Sequence, residues 1–200
     1  MQTLSDAELV QAMRSGIASA YEAFVRRFER MVLSIAFGVI GDFDLAEDAA
    51  QEAFLRCFEH LTQLNEPERL RSWVASVTRN CAIDVARRQR TPSESLDAME
   101  ESKGFNVAYP YYQATTLNPR QGAIAEEEDA LVMKAMAALP LEYREVLVLR
   151  IIRDMTYEEI AALLELGLSN VKVRLHRGRK LLAEKLKDVG LRPRNKWKKT

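Results

Sequence analysis

The stretch Leu139 to Leu186 reads LPLEYREVLVLRIIRDMTYEEIAALLELGLSNVKVRLHRGRKLLAEKL, and how it divides into helices decides the fold. From Leu141 to Ile152 the apolar residues Val146, Leu149 and Ile152 recur at helical spacing, with Leu147 and Val148 widening the stripe. Thr156 stands three residues before Glu159, the spacing of a capping box. It opens a short second helix whose inward residues are Ile160, Leu163 and Leu164. Gly167, following Leu166, predicts the left-handed residue that ends this helix. A third helix starts at about Ser169, with Val171, Leu175, Gly178 and Leu182 on one face. A short helix, a tight turn and a longer basic helix make a helix-turn-helix.

With Val171 set inward, Ser169, Val173, His176, Arg177 and Lys180 point outward, flanked by Asn170, Lys172, Arg174 and Arg179. From Asn170 to Thr200 twelve basic residues face two acidic ones, a net charge of +10 in a chain that is neutral overall. A basic helix taken alone is ordinarily solvated surface. Placed on the helix that follows the turn, the same charge predicts contact with DNA.

Two hundred residues suit one large or two small domains, and 48% hydrophobic content supplies a packed core. No run reaches the length of a membrane span. The N-terminus lacks the basic-then-apolar order of a signal peptide, so a cytoplasmic chain is expected. Cys57 and Cys81 form no CxxC pair and read as small buried apolar residues in a reducing compartment. Cys57 and His60 lie one helical turn apart, but two ligands are too few for a metal site.

In chain order, Ser5 with Glu8 caps a helix from Asp6 to Arg14, and Ser19 with Glu22 is expected to cap a long second helix. Phe24, Phe28, Met31, Val32, Ile35 and Val39 form the stripe of that second helix, and Gly41 ends it. Asp44, with Glu47 three residues on, is expected to cap a third helix running to about His60. Its inward side is Leu45, Ala49, Phe54 and Phe58, and its other side carries Glu47, Asp48, Gln51 and Glu52. Leu61 to Glu66 is a loop, and Asn65 is expected to cap the next helix with Pro67 in its first turn. That helix extends to Arg90, with Leu70, Trp73, Val74, Val77, Cys81, Ile83 and Val85 towards the core. Arg71, Arg79, Asn80, Asp84, Arg87, Arg88 and Arg90 lie on its polar faces. From Thr91-Pro92 to about Ala125 no period holds, which predicts an acidic linker between two helical domains. Within it Tyr109, Tyr111 and Tyr112 surround Pro110, either as a docking element or as a local turn cluster. Glu126 to Ala138 is again helical.

Two families share the E-I-A helix, turn and V-K helix of Glu159-Ile160-Ala161 and Val171-Lys172: sigma-factor promoter-binding domains and LuxR-type response-regulator output domains. The N-terminal half separates them. Asp44 to Phe54, DLAEDAAQEAF, resembles the acidic stretch ending in Q-E-x-F of the helix by which sigma factors grip RNA polymerase. Trp73 to Arg88, WVASVTRNCAIDVARR, resembles the W-x-x-x-x-x-R-N-x-x-x-D-x-x-R-R segment that follows it. Leu139-Pro140 and Arg144 match the L-P-x-x-x-R lead into the promoter-binding domain. The chain as a whole resembles the small extracytoplasmic-function (ECF) sigma factors, which carry only the second and fourth conserved regions.

The resemblance implies an all-α protein of two small helical domains joined by a flexible linker. Residues 1–91 would form region 2, residues 92–125 the linker, and residues 126–190 the helix-turn-helix of region 4. Residues 191–200 would be a basic tail. Asp44, Glu47, Asp48, Gln51 and Glu52 would meet a coiled coil of the core polymerase's beta-prime subunit, with the beta subunit also a partner. The loop before the fourth helix and that helix's polar face would meet the −10 promoter element through Asn65, Arg79, Asn80, Asp84, Arg87 and Arg88, capturing a flipped base. Trp73 is assigned to the core. At the −35 element Lys172, Val173, His176 and Arg177 would read bases and Arg174 and Lys180 would contact phosphates.

Ser169-Asn170 and Val173 depart from the family's usual Gly-Thr and Ser. Asn reads adenine or caps a helix, and Val touches a thymine methyl. The resemblance also implies an anti-sigma factor. No Ser/His/Asp set, Gly-rich phosphate loop or metal cluster is present, so neither an active site nor a cofactor is expected. The rival readings are a response-regulator DNA-binding protein and a sigma mimic that titrates an anti-sigma factor.

Overall fold

A computed structural model describes residues 4–90, 131–188 and 190–191. The expected linker with its tyrosines, the start of the helix placed at Glu126, and the basic tail beyond Leu191 lie outside the described residues. The first unit consists of α1 (Asp6–Arg14), α2 (Ala18–Ile40), α3 (Phe43–Glu59) and α4 (Leu70–Arg90). The second consists of helical residues 131–137 (α5), α6 (Leu141–Leu147), α7 (Tyr157–Leu164) and α8 (Leu168–Asp188). A π-helical turn, Val148–Ile152, extends α6. No strand occurs among the described residues.

The long apolar stripe of α2 makes it the central helix of the first unit, with α3 and α4 both packed on it. Phe24 sits at the middle of an aromatic cluster, its ring centroid 4.9 Å from Phe28, 6.0 Å from Phe54 and 5.7 Å from Phe58. Such pairs contribute roughly 0.5–1.5 kcal/mol each beyond their burial. Trp73 is half-buried and packs against this core, as expected. Cys57 and Cys81 are buried free thiols. Burial pushes Cys57 up to about 12 and Cys81 up to about 11, which keeps both protonated and unreactive.

Four local expectations are corrected. The turn after α1 brings Gly16 to φ +74° and starts α2 at Ala18, so Ile17 occupies the cap position and Ser19 falls inside the first turn. Gly41, at φ +79°, ends α2 so abruptly that Asp42 takes the extended cap position before α3. Its carboxylate accepts from the Leu45 amide at 3.1 Å, and Asp44 lies in the first turn instead. Asn65 caps nothing: a 3-10 turn over Pro67–Arg69 with Glu66 before it leads into α4. The left-handed residue after α7 is Glu165, at φ 54°, not Gly167. Leu166 turns back onto the core and so reverses the chain two residues earlier. The capping boxes of Ser5 with Glu8 and Thr156 with Glu159 form as read.

In the second unit α8 packs on α6 and α7, burying Val171, Leu175, Gly178, Leu182 and Leu186. Gly178 is needed for that approach, because a Cβ there would stand 3.1 Å from Leu147 Cδ1 and 3.2 Å from Tyr143 Cβ. The two units are in contact. The C-terminal half of α2 packs against α6 and the π-helical turn, and α4 meets α7. Arg144 closes this junction. Its buried guanidinium donates to Gly38 O at 2.9 Å and Val39 O at 2.8 Å at the end of α2, and to Ala137 O and Leu139 O at 2.9 and 3.0 Å. It thereby places a cation at the negative end of α2's dipole. A Cβ at Gly41 would lie 2.5 Å from Arg144 Nη1, so glycine at this left-handed position also makes room for the guanidinium.

Candidate nucleic-acid interface

The capping box at Thr156, the left-handed Glu165 and the Val171 stripe fix the rotation of α8 relative to α7. That rotation leaves Ser169, Asn170, Lys172, Val173, His176, Arg177 and Lys180 exposed, with Arg174 half-buried. Val173 is 46% exposed, an apolar contact point set among cations. Lys172, Arg174, Arg177 and Lys180 make no ion pair among the described residues. The face therefore offers donors and charge to a groove without first breaking internal bonds.

On α3, Asp44, Glu47, Asp48 and Gln51 form an exposed stripe that continues to Leu55, which is 40% exposed. None of its three carboxylates is ion-paired among the described residues. Exposed Phe43 stands at its N-terminal end. Glu52 differs: half-buried, it pairs with Arg56 and lies 3.5 Å from Arg88 Nη2. Arg56 also reaches Asp84 at 3.1 Å, so Glu52 and Asp84 together staple α3 to α4.

The remaining −10 candidates are placed unequally. Asn65, Asn80, Arg87 and Arg88 are exposed. Arg79 is turned to the second unit, its Nε 2.9 Å from Glu145 Oε1, where Glu145 is buried. The Leu61–Gln63 turn beside Asn65 is held by Arg14, whose Nη2 donates to Leu61 O at 3.2 Å and to Leu64 O at 2.5 Å. Sequence reasoning missed Arg14, Gly38, Leu55 and the clamp role of Arg144. Only for Arg144 was there a signal, its place in the L-P-x-x-x-R run.

Comparison with known proteins matches both charged units to one family. Residues 24–91 match the family model for Sigma-70 region 2, and residues 129–182 match the model for Sigma-70, region 4. The chain belongs to the sigma-70 family, and within it to the ECF sigma factors. It is 26% identical to the ECF RNA polymerase sigma factor SigW of Bacillus subtilis over 180 residues, which cover 90% of this chain and 96% of SigW. To the ECF RNA polymerase sigma-E factor of Escherichia coli it is 27% identical over 190 residues, covering 94% and 97%. The solved structure of CnrH in complex with the cytosolic domain of CnrY superposes with a TM-score of 0.61 at 25% identity, covering 92% of this chain and 97% of that one. Membership makes the chain a promoter-directing factor of RNA polymerase. No described helix is long and apolar enough to cross a membrane.

Proposed function

We propose that the two units divide the work of promoter recognition, residues 1–91 taking the polymerase and the −10 element and residues 126–190 the −35 element. The acidic stripe Asp44, Glu47, Asp48 and Gln51 docks on a basic helical clamp of core polymerase, with Leu55 adding apolar contact beside it. In the −35 major groove Lys172, Val173, His176 and Arg177 read bases, and Ser169, Asn170, Arg174 and Lys180 set the register. Asn65, Asn80, Arg87 and Arg88 take the melted −10 strand, joined by Arg79 once Glu145 releases it. The chain holds no active site of its own, works in the cytoplasm, and is sequestered by an anti-sigma factor. Its structural relative CnrH is likewise held in a complex, with the cytosolic domain of CnrY.

One observation carries this reading. The outer face of α8 and the stripe on α3 bear opposite charge, belong to different units, and are both unpaired among the described residues. Two such faces suit two different partners, an acidic polymer and a basic protein surface. Run-off transcription with core polymerase, beside a gel shift of the protein alone, tests it. Promoter-specific transcripts are expected only with the factor present, and duplex binding is expected to be weak without core. Specific duplex binding at full strength without core would overturn the reading.

A further inference from the structure

Where the turn after α6 meets α2 and α4, a cleft of about 260 Å³ opens, lined by Asp6, Arg27, Phe28, Met31, Arg71 and Arg153. Phe28 and Met31 form an apolar floor, and the wall is cationic. Asp6 is already neutralised by Arg27, 2.7 Å away. Arg71 has no ion pair or side-chain hydrogen bond among the described residues, and Arg153 Nε is fully buried without a partner. The Arg153 guanidinium is held below its ordinary pKa, first by burial and then by the charges of Arg71 and of Arg30 nearby, against which only Asp154 acts. A half-buried guanidinium crowded by other arginines, with its Nε–H left unsatisfied, is held at a cost that a bound counter-charge would offset.

We propose that this cleft is a binding site for a small, multiply charged phosphate anion, gripped by Arg71 of α4 and Arg153 of the second unit. Planar guanidinium forks match phosphoryl oxygens two at a time, which suits this cluster better than single-point ammonium contacts would. The volume lies below the roughly 300–1,000 Å³ of sites for drug-sized ligands and admits a pyrophosphate-sized ion rather than a helix or a strand of nucleic acid. Arg27 and Arg71 come from the first unit and Arg153 from the second, so the anion bridges them. Its occupancy favours the packed arrangement of the two units in proportion to its preference for that arrangement.

Titration of the full chain with inorganic pyrophosphate at constant ionic strength, by calorimetry and thermal melting, tests the site. Saturable binding at one site per chain with a rise in Tm is expected. Arg153→Gln and Arg71→Gln should each weaken it roughly tenfold or more, the loss of one hydrogen-bonded charge. Arg177→Gln, on the outer face of α8, should leave it unchanged. In the absence of anion Arg153→Gln should melt higher than the parent chain, because it removes a half-buried charge crowded by Arg71 and Arg30; that result also shows that the variant folds. Absence of saturable binding, equal loss in Arg177→Gln, or displacement of pyrophosphate by a single-stranded oligonucleotide would overturn the proposal.

Discussion

The helices α4 and α8 are each 21 residues long, and each carries a row of cations, but the fold treats the two rows differently. On α8 the outward cations are unpaired among the described residues, and the helix leaves them at the surface. On α4 two of the charged residues expected at the −10 element are spent inside the molecule: Arg79 on Glu145 of the second unit, and Asp84 on Arg56 of α3. Arg88 reaches back to Glu52 as well. Cationic composition thus marks a helix as a candidate for nucleic acid, while the charges packed opposite it decide whether the face is ready. The α8 face is exposed with the two units in contact. The part of the α4 face around Arg79 is held on Glu145 where the two units meet.

The largest test of this contrast is the clamp that holds the units together. Arg144→Met should cost about 3–5 kcal/mol in urea denaturation, because four main-chain carbonyls lose their shared donor. It should also separate the units, read as a larger radius of gyration by X-ray scattering. Arg79→Ala should cost about 1–3 kcal/mol, since it leaves the Glu145 carboxylate buried without its partner. Glu145→Gln, by contrast, should strengthen binding to a single-stranded −10 oligonucleotide by freeing Arg79. If it has no effect there, the inward pairing does not limit the α4 face.

On α8, Arg177→Ala should cost about 1–3 kcal/mol at one −35 base position in gel shifts with holoenzyme, and leave affinity for core polymerase intact. The smallest effect belongs to Lys180→Ala. It should weaken binding evenly across sequences and lower the salt slope by about one. Sequence-selective loss from Lys180→Ala would move that residue from backbone contact to base reading.

Much of the candidate site's geometry was legible because its signals are local. The α8 face follows from helical rotation once Val171, Leu175 and Leu182 are set inward, and all three are buried. The α3 stripe follows from the same periodicity. Glu52 escaped that reading. Its position beside the stripe is visible in the sequence, but its pairing with Arg88, 36 residues away, depends on how α3 meets α4. The misread caps have a related cause. Asp42 and Asp44 are both good capping residues, and the choice between them was made by the left-handed turn at Gly41, which itself leaves room for Arg144.

The helical class, the helix-turn-helix, the opposed charges of the two ends and the family can all be read along the chain, because spacing, capping and motif are properties of neighbouring residues. Which charges are used up internally follows from how the helices pack. Arg144 donates to Gly38 across 106 residues and Arg79 meets Glu145 across 66, contacts that no local pattern encodes. Hydrogen bonds and ion pairs depend on distance in space, and the packing of the two units against each other sets that distance.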